Sequence, residues 1–368
     1  MWRRAMSFDD ILLNIISRID GERYKHAAFH LMKGKRSGQT LQDTEYYRLH
    51  PFFGMLPSLH ANDFDLAYRR LLAAGLIAEK EDGTVFLSAS GKTRAASQGP
   101  VRLNGWSYRG MERLFFARLA LAVQTVSHLS AGDKSFMPVT ADPVVQRDVK
   151  RLFSTVLKGK KPGDLAWEMR SSLEAAGMED DRLSRFAARL TGKGMSGMTW
   201  YQLSEVTGIS EMDLKVEWVE TLHIWLDSLA KRPTPILAAL AKGVKAESPL
   251  TGSAKKTAEM YRAGLGMDDI AKQRNLKMST IEDHFVEIAI NDPAFPIRDF
   301  AAPEDVKAVR DQAARLATRK LSVLKKAFPG LAYFQLRLIL ARMGKEEGAD
   351  GYDDHGKPGK PAEKGHRI

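Results

Sequence analysis

Cysteine is absent from all 368 residues. Its absence excludes disulfides, thiolate nucleophiles and cysteine-held metal clusters, and it fits a reducing compartment. No run of about 20 uncharged apolar residues occurs, which is the length a bilayer-spanning helix needs. The most apolar run, 106–129, carries Arg109, Glu112, Arg113 and Arg118, and reads as a core helix. The N-terminus, MWRRAMSFDD, reaches the acidic Asp9 and Asp10 before any apolar stretch, so no signal peptide is expected. A cytoplasmic protein with no membrane partner is the expectation.

Catalytic signatures are equally scarce. GKT (Gly91 to Thr93) matches the end of a phosphate-binding loop, but Phe86 stands where that loop needs its first glycine. His26 and His30 lie four residues apart without HExxH or a third ligand. No nucleophile elbow occurs, and no carboxylate pair stands out from ordinary surface charge. The expectation is no enzyme, no cofactor and no metal.

What the chain has is positive charge. Lys and Arg number 56 against 45 Asp and Glu, a net charge of +11. Such a balance favours nucleic acid or another acidic partner. The length allows two or three domains, and apolar spacing is helical almost throughout. The expected fold class is mainly α: a winged-helix-like N-terminal domain, a helical middle and a C-terminal helix-turn-helix domain.

The most informative stretch runs from Ala254 to Glu287 and reads as three helices. The first, about 254–263, places Thr257, Met260, Tyr261 and Leu265 on one face. Gly264 stops it. The second starts near Met267, with Asp268 and Asp269 in the first turn, where negative charge complements the exposed N–H groups. Ile270 and Ala271 face inward. Asn275 sits where the chain must turn sharply, since Asn tolerates the left-handed conformation, and Leu276 plugs the corner. The third helix, from about Met278, carries Ile281, Phe285 and Ile288 inward. Its outer face offers Lys277, Ser279, Thr280, Asp283 and His284 as the DNA-facing set. In a helix-turn-helix this last helix enters the major groove, N-terminal residues first. Glu282, Asp283 and Glu287 make it acidic, and it lacks the Arg, Asn and Gln of sharp base readout. Shape and backbone contacts are therefore expected, and a purely structural or protein-binding bundle is the alternative.

Before it, residues 7–97 form the winged-helix-like domain, for which a small α+β interaction domain is the alternative. Ser7 caps a helix through Ile19, a second helix fits Tyr24 to Met32, and 34–40 is a polar, basic loop. Asn62 caps a helix over 63–73, and Asp82-Gly83 turns a hairpin between Leu76–Ala78 and Val85–Leu87. Residues 106–242 form the helical middle, with helices at 107–129, 143–157 capped by Asp142, 165–176 and 182–190. A second helix-turn-helix-like piece spans 201–214. Trp218 and Trp225 read as core, against a stacking platform for bases.

The helix-turn-helix domain extends over 253–342. One long helix is expected over 304–327, followed by another over 333–342. Nine basic residues against Asp305 and Asp311 make 305–342 the strongest electrostatic footprint of the chain. Arg319, Lys320, Lys325 and Lys326 are the candidate backbone-holding set, with a solvated packing face as the equal alternative. Residues 344–368 read as a disordered tail.

TAEMYRAGLGMDDIAKQRNLKMSTIEDHF resembles the helicase-associated helix-turn-helix domain. That domain ends some RecQ-type DNA helicases and forms the C-terminal part of the YpbB-like family of Firmicutes, encoded beside such a helicase. GERYKHAAFHLMKGKRSGQTLQD, FFGMLPSL and YFQLRLILARM are similar to the same family, so the resemblance covers nearly the whole chain. Lys277 and Gly266 depart from the Ser common at those positions. The resemblance implies a DNA-binding accessory of a RecQ-like helicase in repair or recombination, holding duplex or fork DNA, and supplies no catalytic role. A protein-binding adaptor on the helicase, or a transcription regulator, are the alternatives.

Overall fold

The structure, a computed structural model, describes residues 6–349, excepting the side chains of 342 and 344–349. Among them lie nineteen α-helices and one two-stranded antiparallel sheet. In chain order these are α1 (Phe8–Ile19), α2 (Lys25–Lys33), α3 (Gly38–Tyr46), α4 (Ala61–Ala73), β1 (Ile77–Glu79), β2 (Val85–Leu87), α5 (Ala89–Ala96), α6 (Gly105–Tyr108) and α7 (Glu112–Ser130). Then follow α8 (Pro143–Ser154), α9 (Pro162–Ala175), α10 (Asp180–Ala187), α11 (Trp200–Thr207), α12 (Glu211–Lys231) and α13 (Pro235–Leu240). The last are α14 (Gly252–Arg262), α15 (Met267–Arg274), α16 (Met278–Asn291), α17 (Pro303–Arg315), α18 (Leu321–Ala327) and α19 (Tyr333–Ala349). No described helix is long and apolar enough to cross a membrane.

The chain divides into two compact units. One holds the chain up to Lys35 together with His50–Glu247, and the other holds Arg36–Leu49 together with the chain from Ser248. The stretches 7–97 and 106–242 thus fall in one unit, apart from 36–49, which belongs with the C-terminal part.

In the first unit, Ser7 Oγ accepts from Asp10 N at 3.1 Å and starts α1. Ile11, Leu12, Ile15, Ile16 and Ile19 are buried along it, as their spacing requires. α4 begins at Ala61 after an N-terminal cap at His60, so Asn62 lies inside the first turn rather than capping it. The hairpin pairs Ile77 with Leu87 and Glu79 with Val85. Its turn is held by Asp82 Oδ1, which accepts from Thr84 N at 3.0 Å, with Gly83 at φ +76. The GKT motif has a packing reason: a Cβ on Gly91 would overlap the Leu76 carbonyl.

The helix expected over 107–129 is two helices, because Arg109 (φ 51) and Gly110 (φ 83) are left-handed. Asp142 caps α8, accepting from Val144 N at 2.8 Å. Trp225 is fully buried and meets Phe115 and Phe186 edge-on at 5.3 and 5.7 Å. Its indole N–H donates to Ser172 Oγ at 2.8 Å, which removes the cost of burying that donor. Trp218 is only half-buried and stands at the edge of this core.

In the second unit the polar 34–40 segment is not simply a loop. Ser37 Oγ accepts from Thr40 N at 3.3 Å and opens α3, which packs on α16 and α19. The helix expected over 304–327 breaks after Arg315. Ala317 is left-handed (φ 45) and Thr318 N returns to Ala313 O at 3.2 Å, ending α17 before α18 begins. Of the tail expected over 344–368, the backbone up to Ala349 is the end of helix α19; residues 350–368 lie outside the described residues.

Candidate nucleic-acid interface

Local chemistry shapes α14, α15 and α16 as their sequences require. Thr251 Oγ1 accepts from Ala254 N at 3.2 Å to open α14. Gly264 takes φ +92 where the chain leaves it. α15 carries Asp268 and Asp269 in its first turn and ends at Asn275 in the left-handed conformation, φ 49 and ψ 48. Leu276 N then donates back to Ala271 O at 3.0 Å, and α16 begins. Ile270, Ile281 and Phe285 are fully buried between the three helices, while Leu276 is half-buried in the corner. Tyr261, Phe295, Phe300 and Phe334 extend the core around Phe285, with ring centroids 4.8 to 5.8 Å apart along the chain of contacts. α3 and α19 complete the unit, burying Leu41, Tyr46, Leu336 and Ile339.

The expected outer-face residues separate into two groups. Lys277 and Ser279 are exposed and Thr280 half-exposed, at the start of α16. Lys277 is the N-cap, no side chain caps the helix, and no acidic residue stands in its first turn. The leading N–H groups and the positive end of the helix dipole are thus open to an anion.

Asp283 and His284 do not belong to that face. His284 is buried; its Nδ1 lies 2.9 Å from Thr257 Oγ1 on α14. Thr257 also receives the Arg274 guanidinium from α15, which in addition donates to Ser253 O at 2.8 Å. A polar chain therefore ties all three helices together. Burial, then the neighbouring Arg274, hold the His284 pKa below its ordinary value, against a smaller opposing effect of Asp283. Asp283 pairs with Arg337 of α19, whose Nε donates to Gln42 Oε1 of α3 at 3.1 Å. Glu287 is buried and accepts the Thr251 hydroxyl at 3.0 Å, along with its backbone N–H. Of the three acids on α16, Glu287 is thus consumed inside the unit and Asp283 is paired with Arg337 while still half-exposed; Glu282 is half-exposed as well.

The basic set downstream is dispersed as well. The Arg319 guanidinium donates to the backbone carbonyl of Tyr46. Lys325 Nζ bridges the carbonyls of Pro329 and Leu331 at 2.9 and 2.5 Å. Lys320 is half-buried beside the break, while Lys326 is exposed. With two helices in place of one, these four do not make a single helical stripe. Lys255, Lys256 and Lys272, outside the expected set, are exposed on α14 and α15. Their signal was present in the polar phase of each helix.

Residues 253–340 match the family model of a helix-turn-helix domain. The chain is 31% identical to protein YpbB of Bacillus subtilis (strain 168), over 91% of this chain and 97% of that protein. The chain belongs to the YpbB family. No solved structure matches it. Among the described residues no group of three or more His, Asp or Glu is placed to hold a metal ion. The family match covers α14–α16 and continues through α18 into α19, so the helix-turn-helix of this YpbB-family chain is its DNA-binding candidate.

Proposed function

We propose that this chain is a non-enzymatic DNA-binding protein that uses the start of α16 as its contact surface. Lys277, Ser279 and Thr280 surround an uncapped helix N-terminus with no carboxylate in its first turn. That observation carries the reading. Such an end binds phosphate through backbone N–H groups and one cation. Lys272, five residues before Lys277 on α15, is an exposed cation of the same motif. The absence of Arg, Asn and Gln from the leading turn fits backbone contact more than base readout, which argues against a sequence-specific regulator.

The finer reading is an accessory of a RecQ-like helicase in repair or recombination, acting in the cytoplasm on duplex or fork DNA. Its support is the resemblance of residues 257–285 to the helicase-associated domain. The case for an adaptor that never touches DNA rests on the acidity of α16; the burial of Glu287 and the pairing of Asp283 with Arg337 reduce it. The N-terminal hairpin could be read as a wing, but its tip exposes Glu79, Lys80, Glu81 and Asp82. That charge disfavours phosphate, so the DNA reading is confined to the C-terminal unit.

The experiment is binding of the full chain to labelled duplex, forked and single-stranded DNA across a salt series. Backbone contact gives a linear fall of log K with log salt, with a slope of about −0.9 per duplex phosphate neutralised. Tighter binding to the fork than to the duplex supports the helicase accessory. No binding at low salt overturns the DNA reading.

A further inference from the structure

Within the first unit, α7, α11 and α12 and the segment 56–63 enclose a cavity of about 370 Å³. Its size falls in the low end of the ~300–1,000 Å³ range of small-molecule sites. Three cations line it, Arg113, Arg189 and Lys215, against one carboxylate, Asp63.

The arginines are unusual for this unit. Arg118 meets Asp148 at 2.6 Å, Arg182 meets Glu220 at 2.5 Å and Arg185 meets Glu217 at 2.6 Å. A half-buried guanidinium normally needs such a partner, because taking an unpaired charge out of water is costly. Arg113 and Arg189 have none. Arg113 Nη1 donates to Ser58 Oγ at 2.5 Å, and Arg189 donates to the Met198 carbonyl. The Nε atoms of both are buried without an acceptor, and so is the indole nitrogen of Trp218. Burial without a counter-charge pulls the Arg189 pKa below its ordinary value. Two half-buried arginines without a carboxylate partner, Arg113 and Arg189, thus line the same cavity.

The walls are aromatic. Trp200 and Trp218 stand edge to face at 5.9 Å, Phe116 meets Trp218 at 5.0 Å, and the Arg189 guanidinium lies 4.1 Å from the Trp200 ring centroid. Guanidinium forks match the oxygens of a phosphate, and indole faces accept a planar base. Asp63 supplies an acceptor for a hydroxyl or amino group.

We infer that this cavity binds a single nucleotide, with its phosphate on Arg113 and Arg189 and its base against Trp200 and Trp218. The phosphate compensates the two unpaired arginines, and the volume admits one nucleotide rather than a run of them. The nucleotide is either free or the 5′-phosphorylated end of a single strand. The residues of this site belong to the first unit and those of the helix-turn-helix to the second.

The test is tryptophan fluorescence of the full chain, titrated with dAMP, deoxyadenosine, orthophosphate, and a short oligothymidylate with or without a 5′-phosphate. A saturable change with dAMP, at least tenfold tighter than with deoxyadenosine or orthophosphate, is expected. The double variant R113Q/R189Q should weaken it at least tenfold, and Ser279→Asp on α16 should leave it unchanged. A preference for the phosphorylated oligonucleotide over dAMP identifies a strand end; equal or better binding of dAMP identifies a free nucleotide. A rise in melting temperature of the wild-type chain with dAMP but not with deoxyadenosine reads the same site without any variant. No saturable change at millimolar nucleotide, with no shift in melting temperature, overturns the inference. So does a folded double variant that binds dAMP as well as the wild type.

Discussion

Thr257 Oγ1 and His284 Nδ1 lie 2.9 Å apart in the centre of the helix-turn-helix. Arg274 donates to the same hydroxyl, so one threonine side chain joins α14, α15 and α16. His284 is therefore an internal strut that works best uncharged. A proton on it would place a cation beside Arg274 in a buried site. Its folded pKa is lowered by that burial and by Arg274, whereas in the unfolded chain it titrates near ~6.5. Below about pH 7 the unfolded state binds the proton more readily, so stability falls with falling pH until the folded pKa is passed, and is flat above. His30, in the first unit, is shifted in the same direction by burial and then by Lys35. His284→Asn, which can keep an acceptor in place, should reduce the loss of urea stability between pH 7 and 5. An unchanged slope in that variant would refute this role.

The match at 253–340 omits α3, although α3 buries Leu41 and Tyr46 and packs on α16 and α19. Burying one such side chain contributes about 1.5–3 kcal/mol, against a whole-domain stability of ~5–15 kcal/mol. A fragment of residues 248–349 should therefore melt well below the C-terminal unit of the full chain. A peptide of residues 36–49 added in trans should raise its melting temperature in a concentration-dependent way. A fragment that melts cooperatively at the temperature of the full chain, unaffected by the peptide, would show that α3 is dispensable.

Lys325 separates packing from DNA contact. Its bonds to the Pro329 and Leu331 carbonyls close the end of α18. Lys325→Ala should cost about 1–2 kcal/mol of stability, typical of lost charged hydrogen bonds in a partly buried site, and should leave the salt slope of DNA binding intact. A slope reduced with stability unchanged would return Lys325 to the DNA surface.

Much of this architecture is legible locally, and the exceptions share a physical cause. Asn275 and Gly264 announce their left-handed turns by residue type, and Ile281 and Phe285 announce their buried face by spacing. α3 is not legible in the sequence because the residues it buries include Thr40, Gln42, Asp43 and Thr44, which look like a solvent-facing loop until α16 and α19 supply partners. The break after Arg315 leaves no local signal because Ala317, with no side chain suited to φ 45, makes the turn; neither Gly nor Pro marks it. Asp283 and His284 read as outer-face residues in the sequence because their partners, Arg337 and Thr257, lie 54 and 27 residues away. Helical periodicity distinguishes apolar from polar positions. It cannot tell a polar side chain in water from one bonded across the core.

The most direct test of the DNA-contact reading is Ser279→Asp, measured in parallel for stability and for duplex affinity. A carboxylate in the first turn of α16 complements the helix dipole and should raise stability by about 0.3–1 kcal/mol. The same charge would stand where phosphate is proposed to bind. The account predicts a protein at least as stable as the wild type that binds duplex DNA at least tenfold more weakly at low salt. Unchanged affinity in that folded, stabilised variant would contradict it, and would move the DNA surface away from the start of α16.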